Sequence, residues 1–179
     1  MVELTADLFV SLDGFAGAVN GEAYFGYYGP DLERQIADVM STPHALLMGR
    51  VTYEAMAPMA AGDESGMNEM PKVVLSSRLE EPLAWKNTRL IKGDLATAIG
   101  ALKRESDVPL RTMGSLTLIK GMLEAGLVDR LRLTVFPIVL GDDGREPFEV
   151  GRARGGLELL DTKVLDNRLV VLEYRPVSA

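Results

Sequence analysis

The sequence contains no cysteine and a single histidine, His44. Without a thiol there is no disulfide framework, no thiolate nucleophile and no cysteine-based zinc site, and the redox compartment leaves no trace in the composition. A lone histidine with no spaced partner makes neither a metal cluster nor a nucleophile–base pair, so His44, beside Pro43 and before an apolar run, reads as structural. No metal site is expected. No apolar run approaches the length of a membrane span. The first residues, MVELTADLFVSLDG, alternate and carry acids, unlike the basic-then-apolar order of a signal peptide. The expectation is a cytoplasmic protein with no membrane partner. Basic residues are outnumbered, 19 against 26, for a net charge of −7. Acids spread along the whole chain repel a phosphate backbone, which argues against nucleic acid as a partner and makes any phosphate site a local one. There is no G-x-G-x-x-G, P-loop, nucleophile elbow, internal repeat or low-complexity tract.

What the chain does have is material for a core. With 47% hydrophobic residues in 179 and no break in composition, one domain spanning 1–179 is expected. Val2 to Leu12 alternates with the period of a strand and stops at Asp13-Gly14. The glycine- and tyrosine-rich stretch from Gly14 to Pro30 is long enough to be a working loop. Asp31 to Met40 spaces Leu32, Ile36, Val39 and Met40 as a helix does, Thr42-Pro43 stops it, and ALLM follows as a short buried strand. The alternation continues with KVVLSS as a strand, a helix capped by Asp94, a strand from Leu110 to Met113, and a helix that Ser115 can cap and Gly126 ends. The last third turns to strands: RLRLTVFPIVL, Leu157 to Val164 and Leu169 to Tyr174, with Asp166-Asn167 as a tight turn. This pattern predicts an α/β fold, a mostly parallel sheet with helices on both faces and an antiparallel C-terminal hairpin.

Three strand ends carry ligand-type residues. MGRVT offers Gly49, Arg50 and Thr52; LSSR offers Ser76, Ser77 and Arg78; MGSLT offers Gly114, Ser115, Leu116 and Thr117. In open α/β sheets ligands bind beyond the carboxyl ends of the strands. Short hydroxyl donors, two arginines and a glycine that admits close backbone approach are what a ligand with several phosphates needs. Each motif read singly is also an ordinary helix cap or turn.

LLMGRVTYE, KVVLSSR and MGSLTLIKGMLEAGLVDRLRLTVFPIVLGDDGREPF, in that order, resemble the dihydrofolate-reductase-like family, and within it the stand-alone relatives of the riboflavin-biosynthesis reductase domain, the C-terminal domain of the bifunctional deaminase-reductase. The resemblance runs over most of the chain, from SLDGF onward. It implies a three-layer dihydrofolate-reductase-like sandwich and NADPH as cofactor. Arg50 would lie near the adenosine 2′-phosphate, Thr52 would cap a helix under the pyrophosphate, Ser76, Ser77 and Arg78 would contact the 2′-phosphate, and the Gly114 to Thr117 turn would meet the pyrophosphate from the other side. It also implies a homodimer, since such relatives pair through the C-terminal strands. The implied activity is hydride transfer to a C=N bond of a heterocycle, and the nearest named reaction is reduction of 5-amino-6-(5-phosphoribosylamino)uracil. A catalytically silent NADPH-binding module and a dihydrofolate reductase proper are the alternatives.

Two carboxylates are candidates for handling the proton, Asp13 in SLDGF and Asp31 in GPDLERQ, with Glu33 as a substitute for the second; both aspartates also suit turn and helix-start positions. Pro137, Leu140, Gly141 and Gly144 resemble the loop that closes over the substrate. Phe15 stands where the riboflavin reductases commonly have a lysine, and an apolar side chain cannot donate to a phosphate. Tyr24, Phe25, Tyr27 and Tyr28 would suit stacking on a flat ring, or packing of the loop itself. Trp85 reads as packing, and MAPMAAGDESGMNEM as a mobile surface segment.

Overall fold

Alternation in the first strand, β1 (Leu4–Ser11), turns Leu4, Ala6, Leu8 and Val10 to one face of a sheet and Phe9 to the other. The computed structural model describes residues 1–18, 24–60, 66–148 and 155–178. After a short β2 (Phe15–Ala18) come α1 (Pro30–Ser41), β3 (Ala45–Gly49), α2 (Arg50–Met56), β4 (Lys72–Leu75), β5 (Thr88–Ile91), α3 (Leu95–Glu105), β6 (Leu110–Thr112), α4 (Leu116–Glu124) and β7 (Arg130–Phe136). The chain closes with β8 (Gly144–Pro147), β9 (Gly155–Leu165) and β10 (Leu169–Ser178).

Eight strands form one sheet in the order β5-β4-β3-β6-β1-β7-β10-β9. The first six run parallel, and β10 and β9 add antiparallel at the β7 edge. On one face Ile99 and Leu102 of α3 and Leu118, Ile119 and Met122 of α4 bury against Leu4, Leu8, Leu47 and Val73. On the other, Leu32 of α1 packs with Phe136 and Val171, and Tyr53 of α2 with Met48, Val74 and Trp85. The expected three-layer α/β sandwich is thus the fold. The β5 strand, four residues with little alternation between Asn87 and Lys92, is an element the sequence pattern did not predict.

Three expectations change in detail. The strand predicted through Leu140 ends at Phe136, because Pro137 supplies no N–H to a ladder. The tyrosine loop holds β2 and a 3-10 turn at Phe25–Tyr27, while its residues 19–23 lie outside the described ones. Its tyrosines pack inward, while the side chain of Phe25 lies outside the described ones: Tyr24 and Tyr27 meet Phe136 at ring separations of 4.9 and 6.4 Å, and Tyr28 meets Phe9 at 6.3 Å. Tyr24 is buried with Leu32, Phe136 and Val171, and Tyr27 and Tyr28 pack against that group, so these rings serve the packing of the loop itself. Residues 61–65 of the methionine-rich segment also lie outside the described ones, but Met67 and Met70 pack with Trp85. His44, read from sequence as structural, is buried, its Nδ1 2.6 Å from the Thr42 carbonyl.

Candidate functional site

Because β3, β4 and β6 run parallel, Gly49, Leu75 and Met113 reach the same end of the sheet, and the segments that follow them meet there. They wall a cleft of about 790 Å³ lined by Gly49, Arg50, Thr52, Arg78, Gly114, Ser115, Leu116 and Thr117. Eight of the ten cofactor residues expected from sequence are therefore in one cavity. Ser76 and Ser77 are not among its lining. The Ser76 hydroxyl, buried, accepts from the N–H groups of Arg78 at 3.1 Å and Leu79 at 3.2 Å, and so shapes the turn that presents Arg78. Leu75, Leu95, Lys120, Glu146 and Pro147 also line the cleft. Sequence reasoning missed them; of these, only Lys120, one helical turn after Leu116, carried a periodic signal.

The centre of the cleft is a hydrogen-bonded knot. Gly114 and Ser115 both have left-handed backbones, φ 58 and 65. Ser115 stands at the N-cap position of α4, yet its hydroxyl does not cap that helix. It accepts from the Gly49 N–H at 2.7 Å and shares a hydrogen bond with the Thr52 hydroxyl at 2.7 Å, tying the end of β3 to the start of α4. The expected Ser115 cap is thus corrected: the left-handed backbone swings the side chain across to the neighbouring strand. Thr52 is likewise no cap, since Gly49 holds the N-cap position of α2 and makes no side-chain cap. A Cβ on Gly114 would lie 3.2 Å from the Thr52 hydroxyl, so glycine permits this approach.

The cations differ. Arg50 is half-buried and paired with Glu54 one turn along α2. Arg78 is exposed and forms no ion pair among the described residues. With the Ser115 and Thr52 hydroxyls engaged, the groups that can meet a phosphate include Arg78, the Thr117 hydroxyl and the N–H groups of the first turn of α4, beside Lys120 in the cleft wall. That set fits a phosphate-bearing cofactor.

The two candidate carboxylates lie outside this cleft. Asp13 accepts from the Ser11 hydroxyl at 2.7 Å and from the N–H groups of Leu140 at 3.0 Å and Gly141 at 2.8 Å. The Ser11 hydroxyl first, and the Gly141 N–H next, hold its pKa down to about 2. This is a clamp fastening the 137–141 loop to the end of β1, and a carboxylate so held is a poor proton donor at neutral pH. Asp31 accepts from the Asp166 N–H at 3.0 Å and pairs with Arg34 at 3.0 Å. Those contacts, the Asp166 N–H foremost, keep its carboxyl below the usual range. Asp31 lines a separate cavity of about 590 Å³ with Arg34, Asp38, Arg111, Arg132 and Lys163. Phe15, expected on the substrate side, rests on Gly144, where an added Cβ would come within 2.5 Å of its ring. Among the described residues no group of His, Asp and Glu could hold a metal ion, and no helix is long and apolar enough to cross a membrane.

Comparison with known proteins gives this geometry a context. The family model described as the RibD C-terminal domain matches residues 2–171. A curated relative, the uncharacterized protein YyaP of Bacillus subtilis (strain 168), is 26% identical over 176 residues, covering 94% of this chain and 92% of the relative. Among solved structures, a Shewanella sp. PV-4 protein named for riboflavin biosynthesis superposes with a TM-score of 0.80 at 23% identity, covering 99% of this chain and 100% of that one. Acinetobacter baumannii RibD gives 0.71 at 19% identity, with 99% of this chain spanning 58% of that protein. Enterococcus faecalis dihydrofolate reductase, complexed with NADP(H), gives 0.70 at 15% identity, covering 98% and 97%. At these identities the likeness establishes a dihydrofolate-reductase-like fold.

Proposed function

The chain belongs to the RibD C-terminal domain family, and from that premise we propose that it is a cytoplasmic NADPH-dependent reductase that transfers hydride to a C=N bond of a heterocyclic substrate. NADPH supplies the hydride when bound. The observation that carries this reading is the convergence of Arg78, Arg50 and the Gly114–Thr117 turn on one cleft at the carboxyl ends of β3, β4 and β6. Arg78, with no ion-pair partner among the described residues, takes the 2′-phosphate; Arg50 reinforces that end while remaining on Glu54. The first turn of α4 takes the pyrophosphate, and the Ser115 knot keeps that turn in register with β3.

On this reading Asp13 is a positioning residue. Its clamp holds Leu140 and Gly141 over the end of β1, and with both aspartates hydrogen-bonded in their charged forms, the proton that completes C=N reduction comes from solvent. The nearest named substrate is 5-amino-6-(5-phosphoribosylamino)uracil. Phe15, lying against Gly144, gives its phosphate no donor at that position, so recognition rests on the heterocycle. The protein pairs as a homodimer through the edge strand β9, whose Leu157, Leu159 and Val164 are 49%, 53% and 66% exposed; sedimentation at micromolar concentration tests this, and a monomer would refute it.

Titration with NADPH and with NADH, followed by nicotinamide fluorescence, tests the reading. Wild type binds NADPH more tightly, and Arg78→Ala removes most of the preference, with a smaller effect from Arg50→Ala. Binding of neither dinucleotide would dismiss it. The fastened state of Asp13 and Asp31 favours one second reading, a silent binding module; it is supported if NADPH binds but is oxidised with no member of a panel of pyrimidines and pterins.

A further inference from the structure

The cleft has a wall that does not come from the parallel strands. The β2–β8 ribbon pairs Phe15 with Pro147, Gly17 with Arg145 and Ala18 with Gly144. Within it Glu146 has φ 55, a left-handed backbone that a long side chain rarely adopts. The adjacent Arg145 turns to the carbonyls of Asp142 and Gly144. Glu146 instead reaches the cleft, over Gly17: a Cβ added to that glycine would lie 3.3 Å from Glu146 Oε2. The glycine leaves the room that the carboxylate uses. Glu146 is the one carboxylate among the described residues lining the cleft, and it forms no hydrogen bond or ion pair among them.

Strand order fixes where along the cleft this carboxylate stands. Arg78 follows β4, Arg50 follows β3, and the Gly114 turn follows β6. The ribbon grows from the ends of β1 and β7, and the Phe148 N–H donates to the Gly14 carbonyl at 2.8 Å to hold it there. Arginines and carboxylate therefore occupy opposite ends, with the α4 turn between them. Resting on the NADPH reading, the phosphate-bearing adenosine half faces the arginines and the nicotinamide half faces Glu146. A carboxylate oxygen accepts hydrogen bonds, while phosphate oxygens offer no donor to it. At that end of the dinucleotide the ribose carries two adjacent hydroxyl donors spaced to suit a carboxylate. We infer that Glu146 is a cofactor-positioning residue that accepts hydrogen bonds from the hydroxyls of the nicotinamide ribose.

The test titrates wild type, Glu146→Ala and Glu146→Gln with NADPH and, separately, with adenosine 2′,5′-bisphosphate, which carries only the adenosine half. Glu146→Ala should weaken NADPH about tenfold, the loss of one hydrogen bond to a carboxylate, and leave the bisphosphate unchanged. Glu146→Gln keeps one acceptor oxygen and should fall between. An unchanged NADPH affinity would overturn the inference, and so would equal weakening of both ligands, because the ribbon would then be acting only as structure. Wild type that binds neither ligand would instead sink the NADPH reading itself. Matching thermal melts of the three proteins show that folding is not the variable.

Discussion

Replacing Ser115 separates two opposing effects that the structure places on one residue. Ser115→Ala deletes the acceptor for the Gly49 N–H and the partner of the Thr52 hydroxyl, both at 2.7 Å, while the backbone stays left-handed at φ 65. Two net hydrogen bonds at about 1 kcal/mol each, discounted for a half-buried site where water can substitute, give a loss of about 1–2 kcal/mol. For a chain of this size that lowers Tm by about 2–8 °C. Ser115→Gly loses the same hydrogen bonds but removes the left-handed cost to an L-residue, about 1–2 kcal/mol. Part of that gain is offset by the larger entropy of glycine in the unfolded chain, about 0.4–1 kcal/mol. Ser115→Gly should therefore be more stable than Ser115→Ala by about 0.5–1 kcal/mol, the difference of those two figures. Urea denaturation with coincident fluorescence and circular dichroism transitions measures all three proteins. Adding Thr52→Ala to Ser115→Ala should cost less than the sum of the single changes, because both remove the same hydrogen bond. A Ser115→Ala protein as stable as wild type, or a Ser115→Gly protein less stable than Ser115→Ala, would refute the account of a strained turn held by its hydroxyl.

Other consequences follow from the clamps. Asp13 has its pKa lowered to about 2, so its contribution is fully present above the unfolded value near 3.8 and is lost as pH falls toward the folded one. Asp13→Asn should be less stable at neutral pH and show a shallower loss between about pH 4 and 2, where the unfolded carboxyl binds more protons; parallel urea melts across that range test it, and identical slopes would refute it. Asp166 accepts from the N–H groups of Asp31 at 2.9 Å and Leu32 at 3.1 Å, capping α1 from a distant hairpin. Asp166→Ala should cost about 1 kcal/mol, and amide exchange should quicken in the first turn of α1 first. Gly144→Ala places a Cβ within 2.5 Å of the Phe15 ring and should destabilise by about 1–3 kcal/mol; adding Phe15→Ala should recover part of that loss, and purely additive effects would refute the contact.

The sequence by itself determined the α/β sandwich, because period-two runs such as Leu4–Ser11 and helical spacing such as Leu32, Ile36 and Val39 state directly which side of an element avoids water. It also determined the cation end of the cleft, since Gly-Arg-x-Thr and Ser-Ser-Arg are local words at strand ends. β5 escaped notice because four residues with a charge inside are too short to show a period. What the hydroxyls and carboxylates do was decided only by tertiary structure. Asp31 and its partner Asp166 are 135 residues apart, Asp13 and Leu140 are 127 apart, and Ser115 and Gly49 are 66 apart. Local pattern predicted a cap at Ser115, and the family resemblance made Asp13 and Asp31 candidates for the proton; the hydrogen bonds that each of the three makes to a distant segment appear only in the fold. Glu146 left no sequence signal at all: its place in the cleft comes from a left-handed backbone and from the glycine opposite, two facts that exist only once β2 and β8 have paired. A side chain's partners depend on which strand ends the sheet order brings together, and that order is set by packing of the whole chain, beyond the reach of any one segment's residues.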